Sequence, residues 1–483
     1  MNKIFFFTII LLIYKIKNNN VFRIPFKTRP YQSQSSSNIN SYILSLIHND
    51  IYISLEIGSP SQEIISFLKF EEFPFFISGT SISSSQYDET KSSTFKSELY
   101  PHVFLEGKEK IKWGLVSNDT FNIFNNQKSQ KEKIDLINFV LVTETRTDSL
   151  SNIGLMIPNV YSSIPDISFI YQLKKQKIIN EYNFMINYTD ITKGEGEFII
   201  GSCPHIFEKE KYDIKNYVTN NAIQKPNYMV YGLIFDNIFY GKNKDNTIGK
   251  GSGIFLCDFG LIVGSNSFYD IIYKNFFQKK ISEKICFNAS VTTTIEWREG
   301  EKEYEYFYCD KKLLKEQDMA NIGQIEFEQK EMNYTFEFNY KELFLEKNEF
   351  YFFQVIFNHK NNFYWIFGKP WFVKYLMVFN QDSKTIGHYY IHGYNSQENN
   401  KSKINWILLS IILLLVLIII IFGGWMIYYY KREKRKKRIN EIKDEFDYTQ
   451  EGDNKTDNLI NNNLNNKSLG INEEYLICKT FVI

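Results

Sequence analysis

The chain has almost no net charge and few histidines. Its 56 Lys and Arg residues balance 55 Asp and Glu residues, which leaves a formal net charge of +1 at pH 7. This balance gives no basis for nucleic-acid binding, which depends on a marked excess of cationic side chains. The six histidines are scattered without metal-ligand spacing, so we expect no metal site. We also find no Ser/His/Asp arrangement, no phosphate-binding glycine loop and no tandem repeat, and we expect no cofactor.

Cysteine is scarce as well, with five residues in a chain of 483. Four precede residue 400, namely Cys203, Cys257, Cys286 and Cys309, and four cysteines can pair in three ways. Cys286 and Cys309 are 23 residues apart with strand-like sequence between them, which favours a disulfide between these two. No histidine lies near Cys257 in sequence, so we interpret it as a small buried apolar residue and not as a nucleophile.

Two apolar segments lie near the ends of the chain. The first, IFFFTIILLIY after Met1-Asn2-Lys3, is too short to span a bilayer and is typical of a secretory signal peptide; a buried N-terminal strand is the alternative. The second, residues 406–430, has no charged residue and is followed by KREKRKKR. Its length suits a spanning helix, and the positive-inside rule puts the basic cluster in the cytosol. The sequence therefore predicts a single-pass type I membrane protein whose N-terminal part is lumenal or extracellular.

The region between these segments reads as β-structure. Short alternating or aromatic runs such as DIYISLEIG and FYWIFGK are broken by Gly, Asn, Ser and Lys, which predicts an all-β fold. The best helix candidates are ISFIYQLKKQKII and NSFYDIIYKNFFQ. About 380 residues are too many for one typical core, so two lobes are expected. The predicted parts are a signal peptide (1–20), a short leader (21–48), an N-terminal lobe (49–200), a C-terminal lobe (201–395), a stalk (396–405), a transmembrane helix (406–430) and a disordered cytosolic tail (431–483).

Several motifs follow one another in a recognisable order. They are NDIYISLEIGSPSQ (49–62), SSTFK (92–96), GKEKIKWGLVSNDTF (107–121), IGLM (153–156), GEFIIG (196–201) and IFGKPWFVKYLMVFNQDSKTIGHYY (366–390). In this order and at these spacings they resemble the pepsin-like aspartic peptidases. The resemblance implies a two-lobed double barrel whose interlobe cleft holds an extended peptide. VFRIPFK (21–27) is similar to the start of a pro-segment, and the Cys286–Cys309 spacing fits the disulfide of the second lobe.

The resemblance also implies that the catalytic pair is incomplete. The family uses two aspartates, one from each lobe, which share a single proton. Counting seven residues from Gln62 places Lys69 at the first position, and the sequence there reads KFEE in place of Asp-Thr-Gly-Ser. In the second lobe Asp258 and Gly260 are retained, but Phe259 replaces the hydroxyl residue. We therefore expect Asp258 to be a remnant of the pair, held in an ion pair by Lys69.

The flap of the cleft also lacks a residue that the family carries there. The resemblance puts the position of the family's flap tyrosine near Phe104, with Gly107 beside it. The expected function is a pseudo-peptidase that binds an extended peptide or a protein partner without cutting it. Two alternatives stay open: an active aspartic endopeptidase in which Glu71 or Glu72 replaces the lost carboxylate, and a surface adhesion or coat protein. Apart from the resemblance, Asp258 could simply be a turn residue at a strand end.

The chain also carries acceptor sequences for N-glycosylation. Those on the predicted outer side are Asn118, Asn187, Asn288, Asn333 and Asn400. Two more, at Asn454 and Asn466, fall in the predicted cytosolic tail, where they could not be used. Sequons therefore arise by chance in this Asn-rich chain and carry little information about topology. Nothing in the sequence indicates an oligomeric state.

Overall fold

The computed structural model describes residues 21–30, 39–70, 72, 74–80, 87–98, 102–106, 110–145, 151–156, 167–224, 229–241, 246–293, 302–358, 364–390 and 423–440. The chain divides into two compact units, Met1–His392 and Gly393–Ile483. The predicted signal peptide, the stalk and residues 406–422 of the predicted transmembrane helix lie outside the described residues. No helix within the described ranges is both long and apolar enough to cross a membrane.

The first unit consists mostly of β-strands, which confirms the all-β class. In chain order these are β1 (Phe22–Pro30), β2 (Asn49–Ile57), β3 (Gln62–Lys69), β4 (Phe75–Ser78), β5 (Lys96–Ser97), β6 (His102–Glu106), β7 (Lys110–Asn125), β8 (Gln130–Thr145), β9 (Asn152–Gly154), β10 (Asn183–Asp190), β11 (Glu195–Ile200), β12 (Tyr217–Asn221), β13 (Ile223–Gln224), β14 (Met229–Val230), β15 (Gly232–Gly241), β16 (Asn246–Phe255), β17 (Ile262–Gly264), β18 (Cys286–Thr293), β19 (Lys302–Asp310), β20 (Gln324–Gln329), β21 (Tyr334–Asn339), β22 (Phe344–Lys347), β23 (Phe350–Phe353), β24 (Val355–Phe357), β25 (Tyr364–Phe367), β26 (Met377–Asn380) and β27 (Thr385–Tyr389).

Short helices connect or cover these strands. They are α1 (Ile39–Ile47), α2 (Phe169–Lys175), α3 (Pro204–Phe207), α4 (Asn266–Ile272), α5 (Gln278–Ser282), α6 (Glu316–Ala320), α7 (Tyr340–Leu343) and α8 (Lys369–Lys374). A π-helical turn, Tyr273–Phe277, joins α4 to α5. Both helix candidates named from the sequence are helical at their centres, in α2 and from α4 to α5.

The strands form two large barrel-like sheets. The first is a 14-stranded sheet in the order β12-β27-β26-β10-β11-β1-β2-β3-β9-β4-β8-β7-β5, with β6 paired to β7. The second is an 11-stranded sheet in the order β21-β20-β15-β16-β25-β17-β24-β19-β23-β22, with β18 paired to β19. Strands β12, β26 and β27 come from the C-terminal half of the unit and yet belong to the first sheet. This exchange ties the two halves together through one continuous hydrogen-bonded network.

One strand arrangement occurs once in each sheet. In the first, β3 runs parallel to β9, β9 antiparallel to β4, and β4 parallel to β8. In the second, β16, β25, β17 and β24 repeat these relationships in the same order. The end of β3 and the segment after β16 therefore occupy corresponding places, and they carry Lys69 and Asp258 respectively.

The predicted leader is part of the first sheet. β1 pairs with β11 on one side and with β2 on the other, and the side chains of Phe22, Ile24 and Phe26 are buried. Arg23 forms ion pairs with Glu197 and Glu208. A strand with neighbours on both sides contributes hydrogen bonds along both edges, so the sheet depends on it.

The second unit contributes one described element. Residues 423–440 form a helix whose side chains are all exposed. Its first eight residues belong to the predicted transmembrane segment, and the remainder falls in the predicted tail. The rest of that tail, residues 441–483, lies outside the described residues.

Candidate functional site

The candidate site lies where the two repeated strand arrangements meet. Lys69 is the last residue of β3, and Asp258 follows β16 in a turn. The amide of Leu155 donates to the carbonyl oxygen of Lys69 at 2.8 Å, and the amide of Lys369 donates to that of Phe259 at 2.7 Å. In both loops the donating amide belongs to the residue that follows a glycine, Gly154 in the first case and Gly368 in the second. This correspondence places Lys69 opposite the Asp258 loop across the junction of the sheets.

Lys69 and Asp258 form the ion pair expected from the sequence. The Nζ atom of Lys69 lies 3.1 Å from Oδ2 of Asp258. Only 8% of the lysine side chain and 13% of the aspartate side chain are exposed. Because both groups are largely removed from water, their attraction is screened much less than that of a surface pair. The ammonium group is held in the place where the resemblance puts a second carboxyl group.

A second carboxylate shares the lysine. Oδ1 of Asp50 lies 3.4 Å from the Lys69 Nζ atom, and 32% of the Asp50 side chain is exposed. Asp50 is the second residue of β2, which is hydrogen-bonded to β3. Sequence reasoning did not find Asp50, because nothing in NDIYISLEIG distinguishes the ion-pair partner of a buried lysine from an ordinary solvated aspartate.

Asn49, the residue before Asp50, holds the Asp258 loop in place by hydrogen bonds. The Asn49 amide donates to the Asp258 carbonyl at 2.9 Å, and its Nδ2 donates to the Cys257 carbonyl at 3.1 Å and to the Tyr188 hydroxyl at 2.8 Å. Burial raises the pKa of Tyr188. The Nζ atom of Lys369 lies 5.4 Å from the Tyr188 ring centre. Burial lowers the pKa of Lys369. Asn49 therefore fixes the loop by its backbone and its side chain.

Helix α1 completes this clamp. Its last residue, Ile47, accepts a hydrogen bond from the Gly260 amide at 2.7 Å. A Cβ atom placed on Gly260 would lie 1.8 Å from the Leu46 carbonyl oxygen, so only glycine allows the helix to approach this closely. At its other end, Tyr42 packs on Phe352 with ring centres 4.7 Å apart. The Asn40 side chain accepts a hydrogen bond from the Tyr306 hydroxyl at 2.7 Å. The helix thereby fastens the loop to β19 and β23.

An aromatic residue follows each of the two charged residues in the sequence: Phe70 follows Lys69, and Phe259 follows Asp258. Phe259 is buried, and so is Phe70, which packs against four aromatic rings. The ring centres nearest to Phe70 are those of Phe379 at 4.9 Å, Phe184 at 5.5 Å, and Tyr231 and Phe372 at 5.7 Å. In the family resemblance these two positions carry small hydroxyl residues that orient the carboxyl pair. Phe70 is therefore held by ring contacts, and Phe259 is held by burial.

Cys257, the residue before Asp258, is fully buried and is not in a disulfide. Its thiol donates to the carbonyl oxygen of Leu68 across the junction, with 3.6 Å between sulfur and oxygen. This matches the interpretation of Cys257 as a packed apolar residue. It is a further link between the two loops.

Glu72 contributes its carboxylate to a different place. It is buried and accepts a hydrogen bond from the side-chain amide of Asn152 on β9. Its carbonyl oxygen accepts from the Met156 amide at 2.8 Å. The described contacts therefore join Glu72 to the N-terminal sheet and join Asp258 to Lys69. Glu71 lies outside the described residues.

A buried carboxylate, that of Asp119, connects β7 to the segment that follows β4. Asp119, fully buried, accepts hydrogen bonds from the Tyr87 hydroxyl, from Oγ1 of Thr94 at 2.5 Å and from the Thr120 amide at 2.7 Å. Burial is the main cause that raises the pKa of Tyr87. Two of these donors, Tyr87 and Thr94, fasten β7 to the segment that follows β4.

Other predicted site residues are placed as follows. Phe104 lies in β6, where its backbone pairs with Lys112, and its side chain is outside the described part of the structure. Gly107 and Asn400 are also outside it. Cys286 and Cys309 form the predicted disulfide, between directly paired residues of β18 and β19. Among the described sequons, Asn288 and Asn333 are exposed, and Asn118 and Asn187 are half-buried.

In the part of the chain that the structure describes, no group of three or more His, Cys, Asp or Glu side chains could hold a metal ion. No protein-family profile matches the chain. No curated protein matches it at a significant level.

Proposed function

We propose that this chain is a membrane-anchored member of the pepsin-like aspartic peptidases that has lost catalysis and binds an extended peptide or a protein partner. The proposed architecture is the family's two-lobed double barrel with a cleft between the lobes. The ordered motifs support it, and so do the repeated strand arrangement and the Cys286–Cys309 disulfide. A predicted signal peptide and a transmembrane helix at 406–430 would make it a single-pass type I protein with a cytosolic tail.

The observation that carries the proposed loss of activity is the ion pair between Lys69 and Asp258. Aspartic peptidase chemistry needs one carboxylate to take a proton from water and one carboxyl group to donate a proton to the substrate carbonyl. A lysine ammonium beside Asp258 favours the ionised carboxylate. The ammonium group lies within 3.4 Å of a carboxylate oxygen of both Asp258 and Asp50. The pair can hold charge in place but cannot alternate between acid and base.

Binding does not depend on that chemistry. An extended peptide is held mainly by main-chain hydrogen bonds to strands and hairpins, with pockets for alternate side chains. The clamp of Asn49 and α1 keeps the Asp258 loop in a fixed position. A cleft with a fixed floor loses less entropy when it orders a ligand.

The alternative of an active enzyme receives no support from Glu72. Its carboxylate is bonded to Asn152, and using it as a catalytic group would require breaking that buried contact. Adhesion through the outer surface is the remaining alternative, and it is separated from cleft binding by experiment.

The test uses two matched peptides that differ only in one statine-type hydroxyl group. An active pair binds the hydroxyl-bearing peptide far more tightly, because that group mimics the transition state. We expect the purified folded unit to bind both peptides equally. A preference of a hundredfold or more for the hydroxyl form would overturn the proposed loss of activity. If the folded protein bound neither these peptides nor any member of a random peptide library, cleft binding would be wrong and the adhesion alternative favoured.

A further inference from the structure

The helix at residues 423–440 has two chemically different halves. Its first half carries Trp425, Met426, Ile427 and three tyrosines, with exposed fractions from 48% for Tyr429 to 70% for Tyr430. Its second half begins at Lys431 and reads KREKRKKR, with every side chain exposed.

The division runs along the helix axis and not around it. A helix that lies flat on a membrane shows an apolar stripe on one side and charges on the other. Here successive residues from Trp425 to Tyr430 are apolar or aromatic all round, and those from Lys431 to Arg438 are charged all round. Such a helix fits an environment that changes along its axis. A membrane surface crossed by the helix provides that change, between Tyr430 and Lys431.

Charge and length specify which surface the basic half fits. Residues 431–438 carry seven cationic side chains and one acidic side chain, hence six net positive charges. The one ion pair described within this half joins Lys436 to Glu433 at 3.9 Å, with both side chains more than half exposed, and such a pair contributes little. Eight helical residues extend about 12 Å, close to the Debye length of about 10 Å at 0.1 M salt. Nearly all of these charges would therefore act on a surface at the Tyr430 level.

We propose that residues 431–438 bind the headgroups of an anionic membrane leaflet, with Trp425 and the three tyrosines in the interfacial layer of that leaflet. The proposal rests on the membrane topology proposed above and adds the lipid class that the protein recognises. Trp and Tyr favour the interface because one part of each ring system is apolar and another is polar. A cationic segment at such a surface gains about fivefold in affinity for anionic lipid per charge. Nucleic acid or an acidic protein would match the charges but leave the aromatic half uncovered.

The experiment measures which lipid lies next to Trp425. The full chain is reconstituted in phosphatidylcholine vesicles that contain either brominated phosphatidylserine or brominated phosphatidylcholine at equal mole fraction. Bromine quenches nearby tryptophan fluorescence, and a Trp425→Phe variant isolates the signal of Trp425. We expect at least twofold stronger quenching by the brominated anionic lipid, and loss of that preference at high salt.

Two charge variants are compared. The first variant combines Lys434→Gln, Lys436→Gln and Lys437→Gln. It should lower the apparent affinity for phosphatidylserine at least fivefold and weaken the preference for this lipid accordingly. The matched triple Lys209→Gln, Lys279→Gln and Lys312→Gln changes three exposed lysines of the first unit and should leave the preference intact.

Equal quenching by both lipids in the unchanged chain would overturn the proposal. If neither lipid quenched Trp425, the membrane topology would be wrong together with the lipid preference. The matched statine peptides test the cleft independently, so failure of the lipid proposal and failure of the pseudo-peptidase proposal give different results.

Discussion

Replacing Lys69 by methionine tests the ion pair at the centre of the site. Methionine keeps much of the apolar stem and removes the charge. The ammonium group lies 3.1 Å from Asp258 and 3.4 Å from Asp50. With an effective dielectric constant of about 20, each of these attractions is worth about 5 kcal/mol, and the cost of burying the charges offsets a large part of it. Removing the cation leaves Asp258 buried beside a second carboxylate, which should cost about 3–5 kcal/mol of unfolding free energy at neutral pH.

Urea unfolding of the folded unit gives the measurement. Asp258→Leu alone should also destabilise, because it removes the nearer of the two carboxylates described next to the buried ammonium. The double variant should be more stable than the sum of the two changes predicts, with a coupling of about 2 kcal/mol or more. In Lys69→Met the unpaired Asp258 carboxyl should bind a proton more readily than in the unfolded chain, so the cost should shrink as the pH is lowered. A cost below about 1 kcal/mol, or additive effects of the two changes, would refute the account of a tightly coupled buried pair.

Three further predictions concern stability. Burial lowers the pKa of His388 to about 3, against a smaller opposing effect of the Leu376 backbone, and its ring packs on Tyr334, Phe336 and Tyr375. Because this pKa lies below the unfolded value of about 6.5, the unfolding free energy should fall by about 2 kcal/mol between pH 6.5 and 4.5. Urea unfolding at both pH values should show that His388→Phe removes this part. Asp119→Asn should cost about 2 kcal/mol in thermal or urea unfolding, because an amide cannot accept the three hydrogen bonds of Asp119. Replacing Cys286 and Cys309 by serine together should cost about 3 kcal/mol in urea unfolding, because the disulfide closes a loop of 23 residues.

A specific result would contradict each of these predictions. An unchanged pH dependence in His388→Phe would mean that other groups cause the acid sensitivity. A neutral effect of Asp119→Asn would show that its three donors find partners elsewhere. Cys203→Ala serves as the control for cysteine removal, since Cys203 is buried and is not in a disulfide. Loss of the disulfide without any change in unfolding would contradict its structural role.

Sequence reasoning worked best where a position could be counted from a motif. Seven residues from Gln62 led to Lys69, and the spacing of the cysteines led to the Cys286–Cys309 disulfide. The Lys69–Asp258 contact joins residues 189 apart, and only the correspondence of two lobes made it accessible without a structure. Alternating apolar residues were sufficient for the β class, because burial of one face leaves that pattern in the sequence.

Other features left no signal that could be recognised. Asp50 is charged and lies next to a strand, and only its distance from Lys69 separates it from a solvated aspartate. Phe70 packs against the rings of Phe184, Tyr231, Phe372 and Phe379, which are all more than 100 positions away in the sequence. The nine-residue helix α1 has no acidic residue in its first turn and no basic residue in its last, and a helix this short depends on tertiary contacts for its stability. Its contacts with Gly260 and Tyr306 join residues more than 200 positions apart and could not be inferred locally.

The leader is the clearest case of a role that depends on the whole sheet. Its sequence resembles the start of a pro-segment, but its side chains are packed between β2 and β11. The sequence FRIPFK alone does not specify a strand with a neighbour on each side. Only the pairing shows that this strand completes the first sheet.

A cleavage assay tests the central claim most directly. The purified folded unit would be incubated with a fluorogenic peptide library from about pH 3 to pH 7, the range in which paired carboxyl groups act, beside an Asp258→Ala variant and with a statine-type inhibitor. The account predicts no cleavage at any pH from protein shown to be folded, because Lys69 leaves no proton for Asp258 to share. Cleavage that the inhibitor blocks and that Asp258→Ala abolishes would contradict it.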